Sequence, residues 1–232
     1  MKNNIGTLRI VSTPIGNLSD ITYRAIDILK DSHIIAAEDT RVSRKLLNHY
    51  DIETKMISYF EHNKFSRIKQ IMATLSNGMD VAVISDAGTP AISDPSYKLI
   101  REAISIGAKI ESIPGASAVL AALVSSGLPT DRFIFEGFLP PKKGRKKRIE
   151  NIANENATIV IYESKNRLQR TIKQLLDILG DRPAVICREL TKLHEQFIRG
   201  TLSSLLSSVV EQTLKGEIVL LVGKNDKNVY FD

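Results

Sequence analysis

Short apolar runs alternate with amphipathic stretches along the whole of this chain. Runs of about four apolar residues between polar or glycine residues are typical of buried strands. The clearest is Val81-Ala82-Val83-Ile84, which is followed at once by small and polar residues. The pattern predicts strands at residues 8–12, 34–37, 56–60, 81–84, 109–113, 133–135, 158–162, 184–187, 196–198 and 218–222.

Helical periodicity fills the segments between these strands. Ile68, Ile71, Met72 and Leu75 recur at helical spacing, and Gly78 follows as a stop signal. The same reasoning predicts helices from about residue 20, through Leu46-Leu47, and at 66–77, 99–104, 119–124, 145–154, 167–179 and 202–213. Alternating strands and helices predict an α/β protein. The helix at 119–124 is so apolar that we expect it to be buried, and we place a domain boundary before it, giving domains 1–114 and 115–232.

Composition limits the class of protein. The chain has 232 residues, of which 43% are hydrophobic and 25% charged, as in ordinary soluble globular proteins. No apolar stretch of about 18 residues predicts a membrane span, and no apolar signal region follows Met1. The single cysteine, Cys187, excludes an internal disulfide and favours a reducing cytoplasm. We expect its side chain to pack in the core.

Positive charge is concentrated in one segment. The formal net charge is +6, and every residue from Lys142 to Arg148 except Gly144 is basic. A basic run of this kind is compatible with a polyanionic partner, but for a run taken in isolation a solvated start of a helix is the preferred interpretation.

The loop after the run 81–84 is the first candidate for chemistry. In an open α/β sheet, ligands bind beyond the carboxyl ends of the strands, where Asp86 stands. Its carboxylate can accept hydrogen bonds from a hydroxyl or ammonium group. Gly88 permits close approach to the backbone, and Pro90 stiffens the loop. Taken alone, the same residues are equally typical of a plain strand-to-helix connection.

Several common sites are missing from the sequence. The first predicted strand has no Gly-x-Gly-x-x-Gly after it, and the chain has no Gly-Lys-Ser/Thr phosphate loop. The four histidines share no metal-ligand spacing with Cys187, so we expect no metal site.

Seven short motifs, in order along the chain, carry a family resemblance. They are Thr13-Pro-Ile-Gly-Asn-Leu18, Glu38-Asp-Thr-Arg41, Ser85-Asp-Ala-Gly-Thr-Pro-Ala-Ile-Ser-Asp-Pro95, Pro114-Gly-Ala-Ser-Ala118, Gly137-Phe-Leu-Pro140, Tyr162-Glu-Ser164 and Cys187-Arg-Glu-Leu-Thr-Lys192. Together they resemble the tetrapyrrole methylase superfamily, and within it the cytidine ribose 2′-O-methyltransferases of small-subunit ribosomal RNA.

The resemblance implies a fold, a cofactor and partners. It implies two α/β domains of tetrapyrrole methylase type, with S-adenosylmethionine bound in a cleft between them. It also implies a homodimer whose substrate is a cytidine in small-subunit (16S) ribosomal RNA. Many members have a further C-terminal segment where this chain has only residues 223–232. If that segment grips RNA, we expect this chain to rely more on its basic run.

The resemblance also assigns cofactor contacts residue by residue. Ser117 and Ala118, at a helix start, offer a hydroxyl and N–H groups to the methionine carboxylate, which agrees with the helix dipole. Tyr162 and Leu190 are expected to flank the adenine. The full set of expected cofactor contacts is Asp86, Gly88, Thr89, Ile92, Ser93, Ser117, Ala118, Tyr162, Leu190, Gly216, Glu217 and Ile218.

A ribose hydroxyl is a weak nucleophile at neutral pH, so the reaction is expected to use a proton acceptor. The candidates are Glu189, Lys192, Glu38 and Glu163, and we favour Glu189 or Lys192. Their spacing of three residues is equally typical of a surface ion pair.

The basic run is the expected RNA contact, since its charges can meet successive phosphates. The predicted RNA-binding residues are Lys142, Lys143, Arg145, Lys146, Lys147 and Arg148, extended by Arg41 and Arg167.

Two other functions remain compatible with these motifs. One is methylation of a tetrapyrrole or another small molecule by the same fold. The other is a non-catalytic RNA-binding protein of ribosome assembly. The basic run argues against the first, and the intact loops at 85–95 and 114–118 argue against the second.

Overall fold

A computed structural model describes residues 5–93, 96–211 and 214–231 of the chain. The chain divides into two compact units, Met1–Ser117 and Ala118–Asp232, and each contains one five-stranded sheet. The units are described in turn.

The first unit is built on a parallel sheet. Its strands are β1 (Thr7–Val11), β2 (Ile34–Ala37), β3 (Met56–Ser58), β4 (Val81–Ile84) and β5 (Lys109–Ile113), in the order β3-β2-β4-β1-β5. All four strand pairs are parallel. Every residue of β2 and β4 is buried, which explains why both strands are continuous apolar runs in the sequence.

Helices cover both faces of this sheet. Helices α1 (Tyr23–Asp31) and α2 (Thr40–His49) share a core with Ala82 and Ile84 of β4. Helices α3 (Lys64–Ser76) and α4 (Ser96–Ser105) share the other core with Val81 and Val83. Successive residues of β4 therefore pack against different helix pairs, as the alternation of side chains along a strand requires.

The strand order creates a switch point at the middle of the sheet. The chain leaves β1 through α1 toward β2 and β3, whereas it leaves β4 through α4 toward β5 on the other side. Strands β1 and β4 are neighbours, with Ile10 opposite Val83. Adjacent strands whose connections leave in opposite directions open a crevice at their carboxyl ends, where α/β proteins bind ligands.

The second unit has a mixed sheet. It consists of α5 (Ala118–Ser126), β6 (Phe133–Phe138), α6 (Arg145–Ile152), β7 (Thr158–Ser164), α7 (Lys165–Leu179), β8 (Pro183–Arg188), β9 (Gln196–Thr201), α8 (Leu202–Glu211) and β10 (Glu217–Val222). The strand order is β6-β7-β10-β8-β9. Only β6 and β7 are parallel, and the other three pairs are antiparallel. Residues of α6, α7 and α8 share one core with this sheet.

The predicted α/β class and all ten predicted strands are confirmed, with small differences at the ends. The first helix starts at Tyr23 rather than near residue 20, because Thr22 caps it by accepting the Ala25 N–H (3.1 Å) after a short 3-10 turn. Residues 212 and 213, at the end of the last predicted helix, lie outside the described part.

The helix at 119–124, which we expected to be buried, is buried on one side only. In α5, Val119, Ala122 and Leu123 are buried, whereas Leu120 and Val124 are exposed. The helix contacts β8 and β10 with one side only. Because its residues are apolar all round, the sequence cannot indicate which side is buried. None of the described helices is long and apolar enough to cross a membrane.

Candidate functional site

Backbone hydrogen bonds join the two loops at the switch point of the first sheet. The Thr13 N–H donates to the Gly88 carbonyl (2.9 Å), and the Gly88 N–H donates back to the Thr13 carbonyl (3.0 Å). The hydroxyls of Ser12 and Thr89 also lie in hydrogen-bond contact (2.9 Å). These bonds fix the carboxyl ends of β1 and β4 as one rigid edge.

A third loop, which follows β5, is held to the same edge. The Thr89 hydroxyl donates to the Ala116 carbonyl (3.3 Å), and a Cβ atom on Gly115 would lie 2.9 Å from the Ser12 Cβ. Since side-chain atoms do not approach so closely, only glycine fits at position 115. The sequence predicted each loop separately but gave no sign that Ser12, Thr13 and Gly115 lock them together.

The loop after β4 holds an unusual backbone. Gly88, Ala91 and Ser93 all have φ in the left-handed region, at 79°, 71° and 65°. Side chains disfavour that region, so the two non-glycine residues store strain, which in proteins clusters at ligand-binding sites. Ile92 and Ser93 are exposed in this loop, whereas Asp94 and Pro95, the last residues of the predicted motif, lie outside the described residues.

Asp86 connects this edge to the loop after β2. Its Oδ1 accepts the Asp39 N–H (2.9 Å), while the Asp39 carboxylate binds Arg41 through both Nε (3.1 Å) and Nη2 (2.7 Å). The Arg41 guanidinium lowers the pKa of Asp39 to about 2. Partial burial raises the pKa of Asp86. The hydrogen bond from the Asp39 N–H acts in the opposite direction but is the smaller effect. The edge thus presents a carboxylate suited to a hydroxyl or ammonium ligand.

The remaining predicted cofactor residues lie at the start of α5 and in the second unit. Ser117 immediately precedes α5, which begins at Ala118 as the motif predicted. The Tyr162 ring, near the end of β7, packs edge-on against Phe135 (4.9 Å between centroids) and at a tilt against Phe138 (5.6 Å). Burial raises the pKa of Tyr162. Leu190 is buried beyond the end of β8.

Glu189, Lys192 and Glu217 form one ion-paired cluster. The Lys192 Nζ lies 3.1 Å from Glu189 Oε1 and 2.7 Å from Glu217 Oε2, and Glu189 Oε1 also accepts the Glu217 N–H (2.8 Å). The hydrogen bond from the Glu217 N–H lowers the pKa of Glu189, and the positive charge of Lys192 lowers it further. Burial lowers the pKa of Lys192, but the carboxylates of Glu217 and Glu189 together raise it by more. The net effect is a raised pKa.

These contacts do not favour the proton-acceptor role that the sequence suggested for Glu189 and Lys192. A carboxylate with a lowered pKa is a weakened base, and a lysine with a raised pKa holds its proton. The Glu189 side chain instead fills the space beside Gly216, where φ is 94° and an added Cβ would collide with the Glu189 carboxylate. Its contacts fit a residue that positions residues 216–217.

Glu163, another candidate acceptor, lies in the core. Its side chain is fully buried, with Oε2 accepting the Thr171 hydroxyl (2.6 Å) and lying 3.6 Å from Arg145 Nη2. Oε1 accepts the Ser164 N–H (2.8 Å) and lies 3.3 Å from Arg167 Nε. No bulky substrate reaches such a group, so that alternative is wrong.

Arg145 does not belong to the exposed basic run. The residue is 2% exposed, and its guanidinium donates to Gln174 Oε1 (2.7 Å), the Thr171 hydroxyl (2.5 Å) and the Pro140 carbonyl (3.2 Å). Helical spacing explains the difference, because position 145 faces α7 together with Ile149 while its neighbours face outward. Its prediction as an RNA contact is wrong.

The other basic residues of the run from Lys142 to Arg148 are on the surface. Lys142, Lys143 and Lys147 are exposed, and Lys146 is exposed beside Glu150 (3.7 Å). Arg148 pairs with Glu136, and Arg167 is partly buried between Glu163 and the Leu139 carbonyl. Four lysines therefore form an exposed cationic surface at the start of α6, which we call the lysine surface.

Comparison with known proteins identifies the family. The model of the tetrapyrrole (corrin/porphyrin) methylases matches residues 7–206. Curated proteins named ribosomal RNA small subunit methyltransferase I are similar along nearly the whole chain. The one from Halalkalibacterium halodurans is 50% identical over 98% of this chain and 79% of its own length. Those from Bacillus subtilis and Thermotoga maritima are 45% and 46% identical, and the chain covers 79% and 100% of their lengths.

Solved structures share the fold at low identity. A cobalt precorrin-4 methyltransferase of cobalamin biosynthesis superposes with a TM-score of 0.70 at 19% identity, covering 94% of each chain. A putative diphthine synthase from Entamoeba histolytica gives a TM-score of 0.69 at 17% identity, covering 95% of this chain and 93% of its own. The family match, the identity to these relatives and the shared fold agree: the chain belongs to the tetrapyrrole methylase family, in the group of the ribosomal RNA small subunit methyltransferases I.

Proposed function

We propose that this chain transfers a methyl group from S-adenosylmethionine to the ribose 2′-hydroxyl of a cytidine in small-subunit ribosomal RNA. The observation that carries the proposal is 45–50% identity, over 98% of the chain, to relatives named as methyltransferases of that RNA. Methyl transfer from S-adenosylmethionine is the chemistry of the family. We propose in addition that the methyl acceptor is the ribose 2′-hydroxyl and that the modified nucleoside is a cytidine.

The edge of the first sheet fits the methyl donor. The Asp86 carboxylate suits its ammonium or hydroxyl groups, and Gly88 and Thr89 belong to a loop held rigid by Thr13 and Ser12. Gly115 keeps the neighbouring loop free of a side chain that would collide with Ser12. Bound there, the donor supplies a sulfonium-activated methyl group.

We retain the other predicted cofactor contacts as part of the proposal. These are Ile92, Ser93, Ser117 and Ala118, together with Tyr162, Leu190, Gly216, Glu217 and Ile218. Ser117 and the first N–H groups of α5 suit a carboxylate. Glu189 and Lys192 act in this proposal by holding residues 216–217, through the Glu217 N–H and the paired Glu217 carboxylate.

Positioning of the acceptor hydroxyl is expected to supply most of the acceleration. The methyl group is already activated, so holding the two reacting atoms in line replaces covalent help from the protein. The lysine surface (Lys142, Lys143, Lys146 and Lys147) is the proposed phosphate contact, and its exposure and charge support that role.

We propose that the two units are the two domains predicted at 1–114 and 115–232, that the active form is a homodimer, and that it acts in the cytoplasm.

The direct test is incubation with methyl-labelled S-adenosylmethionine and small ribosomal subunits that lack the modification. We expect label in ribosomal RNA, and nuclease digestion with mass spectrometry should place it in a 2′-O-methylcytidine. A tetrapyrrole precursor serves as the comparison acceptor. Label in the tetrapyrrole alone, or in a base rather than a ribose, would contradict the proposal.

A further inference from the structure

Exposed aromatic rings and basic side chains alternate where α3 and α4 begin. Phe65 is 62% exposed near the start of α3, and Tyr97 is 65% exposed near the start of α4. Lys98 and Arg101 stand on α4 beside them. We call these four residues the aromatic–basic surface.

Each ring of this surface has a cation against it. The Lys98 Nζ lies 4.1 Å from the centroid of the Phe65 ring, which joins the two helices across their outer side. The Arg101 guanidinium carbon lies 6.0 Å from the Tyr97 ring centroid, and its Nη1 is 3.5 Å from the Tyr97 hydroxyl. Cations at these distances are attracted to aromatic faces, so the contacts favour the exposed positions of both rings.

Charge on this surface is largely uncompensated. Lys64, which lies 5.6 Å from the Phe65 centroid, is paired with Glu61. Within residues 5–93, 96–211 and 214–231, neither Lys98 nor Arg101 has a carboxylate at ion-pairing distance. Two ring faces beside two unpaired cations make a surface suited to a planar, anionic ligand.

The fold places this surface beside the candidate site. Helix α3 follows β3, and α4 follows the loop of β4 that carries Asp86. Because all strands of this sheet are parallel, both helices begin at the carboxyl edge, where the β1 and β4 loops form the crevice. The two helices also pack on the same face of the sheet. A ligand that extends from the crevice over that face meets Tyr97 and Phe65.

We propose that the aromatic–basic surface binds an unpaired segment of the RNA substrate, with bases stacked on Phe65 and Tyr97 and phosphates beside Lys98 and Arg101. Unpaired bases expose the flat faces that aromatic side chains recognise, whereas a duplex hides them. The inference rests on the proposed function for the identity of the polyanion, and it adds a second RNA contact apart from the lysine surface.

Removal of the rings tests the stacking. Phe65→Ala and Tyr97→Ala are each expected to weaken binding of a fluorescently labelled, unstructured oligoribonucleotide about tenfold, and to change binding of the same strand in a duplex far less. Tyr23→Ala is the matched control, since Tyr23 is 89% exposed on α1, on the other face of the sheet. It should leave the affinity for both RNAs unchanged.

Removal of the cations tests the phosphate contacts separately. Lys98→Ala and Arg101→Ala should each lower the slope of log affinity against log salt by about 0.7 for the single strand. The ring variants should lower affinity with little change in slope.

The absence of tryptophan from the chain allows a direct readout of stacking. Phe65→Trp keeps a large ring, so it should retain the affinity of the wild type, and its single indole should lose fluorescence when the oligoribonucleotide binds. The same indole placed at position 23 by Tyr23→Trp should not respond.

Several results would overturn the inference. The first is equal RNA affinity of the wild type, Phe65→Ala and Tyr97→Ala. The second is an equal loss for duplex and single strand. The third is a change in oligomeric state of the ring variants with RNA affinity retained, which would assign the surface to a second copy of the chain.

Failure of the proposed function can be distinguished from failure of the inference about the aromatic–basic surface. If the wild type methylates ribosomal subunits while the ring variants bind the oligoribonucleotide normally, only the inference fails. If the wild type neither binds nor methylates RNA, the proposed function fails and the inference falls with it.

Discussion

At the scale of single residues, a buried ion pair connects the basic run to the second sheet. Arg145 and Glu163 have side-chain exposures of 2% and 0%, and Thr171 lies between them. Burial lowers the pKa of Arg145, and the Glu163 charge opposes that effect. Removing one partner of such a pair leaves an uncompensated charge in the core, which costs more than the pair itself contributes.

Arg145→Met is therefore expected to lower the free energy of unfolding by about 3 kcal/mol. Lys146→Met is the matched control, because Lys146 is next to Arg145 in sequence but is exposed. Its ion pair with Glu150 is worth about 0.5 kcal/mol or less. Urea denaturation of both variants measures the difference. Equal midpoints for the two variants would show that the Arg145 network adds nothing to stability.

Glu189 allows a test of the proton-acceptor hypothesis by pH. Its lowered pKa means that its stabilising contacts are present above the ordinary glutamate value of about 4.3 and are lost as the pH falls through the lower value of the folded state. Near neutral pH the carboxylate stays ionised, so its titration cannot shape the rate profile there.

Glu189→Gln should accordingly keep the pH profile of methyl transfer while lowering affinity for S-adenosylmethionine, since Lys192 loses one of its two partners. The measurement is turnover at saturating cofactor between about pH 6 and 9, a range that brackets neutrality. Loss of the acid limb of the profile in this variant would restore Glu189 as the base.

At the scale of elements, local patterns explain most strands and part of the site. The buried run of β4 and the polar loop after it follow directly from the residues, because a parallel strand covered on both faces must be apolar throughout. The antiparallel pairs of β7, β10 and β8 could not be predicted, because strand direction depends on long-range pairing. The burial of Arg145 was missed for a related reason: the partner that compensates its charge is 18 positions away in sequence.

The lysine surface at the start of α6 can be tested through the salt dependence of RNA binding. Lys142 and Lys143 are exposed there, so replacing both with alanine should lower the salt slope of binding to single-stranded RNA by about 1.4, at 0.7 for each phosphate contact. The double variant Lys30→Ala/Lys55→Ala removes two exposed charges from the first unit and serves as the control. Equal slopes for the two double variants would exclude the lysine surface as a contact.

At the scale of the whole molecule, binding of the methyl donor should be visible as stability. A ligand that binds only the folded chain adds about 2.7 kcal/mol at a hundredfold excess over its Kd. We therefore expect S-adenosylmethionine to raise the melting temperature of the wild type in a concentration-dependent way. The size of the shift reports the affinity without any assumption about the acceptor.

Two glycine variants separate loss of the site from loss of stability. Gly88 and Gly144 have the same positive φ, 79°, and Gly144 is in the left-handed helical region, where alanine costs about 1 kcal/mol of backbone strain. A Cβ at Gly144 meets nothing within 4 Å, whereas one at Gly88 lies 3.3 Å from Ile15 and disturbs the pair with Thr13. Both variants should melt earlier than the wild type, but only Gly88→Ala should lose the shift caused by S-adenosylmethionine. A full shift in Gly88→Ala would mean that the donor binds elsewhere than the edge formed by β1 and β4.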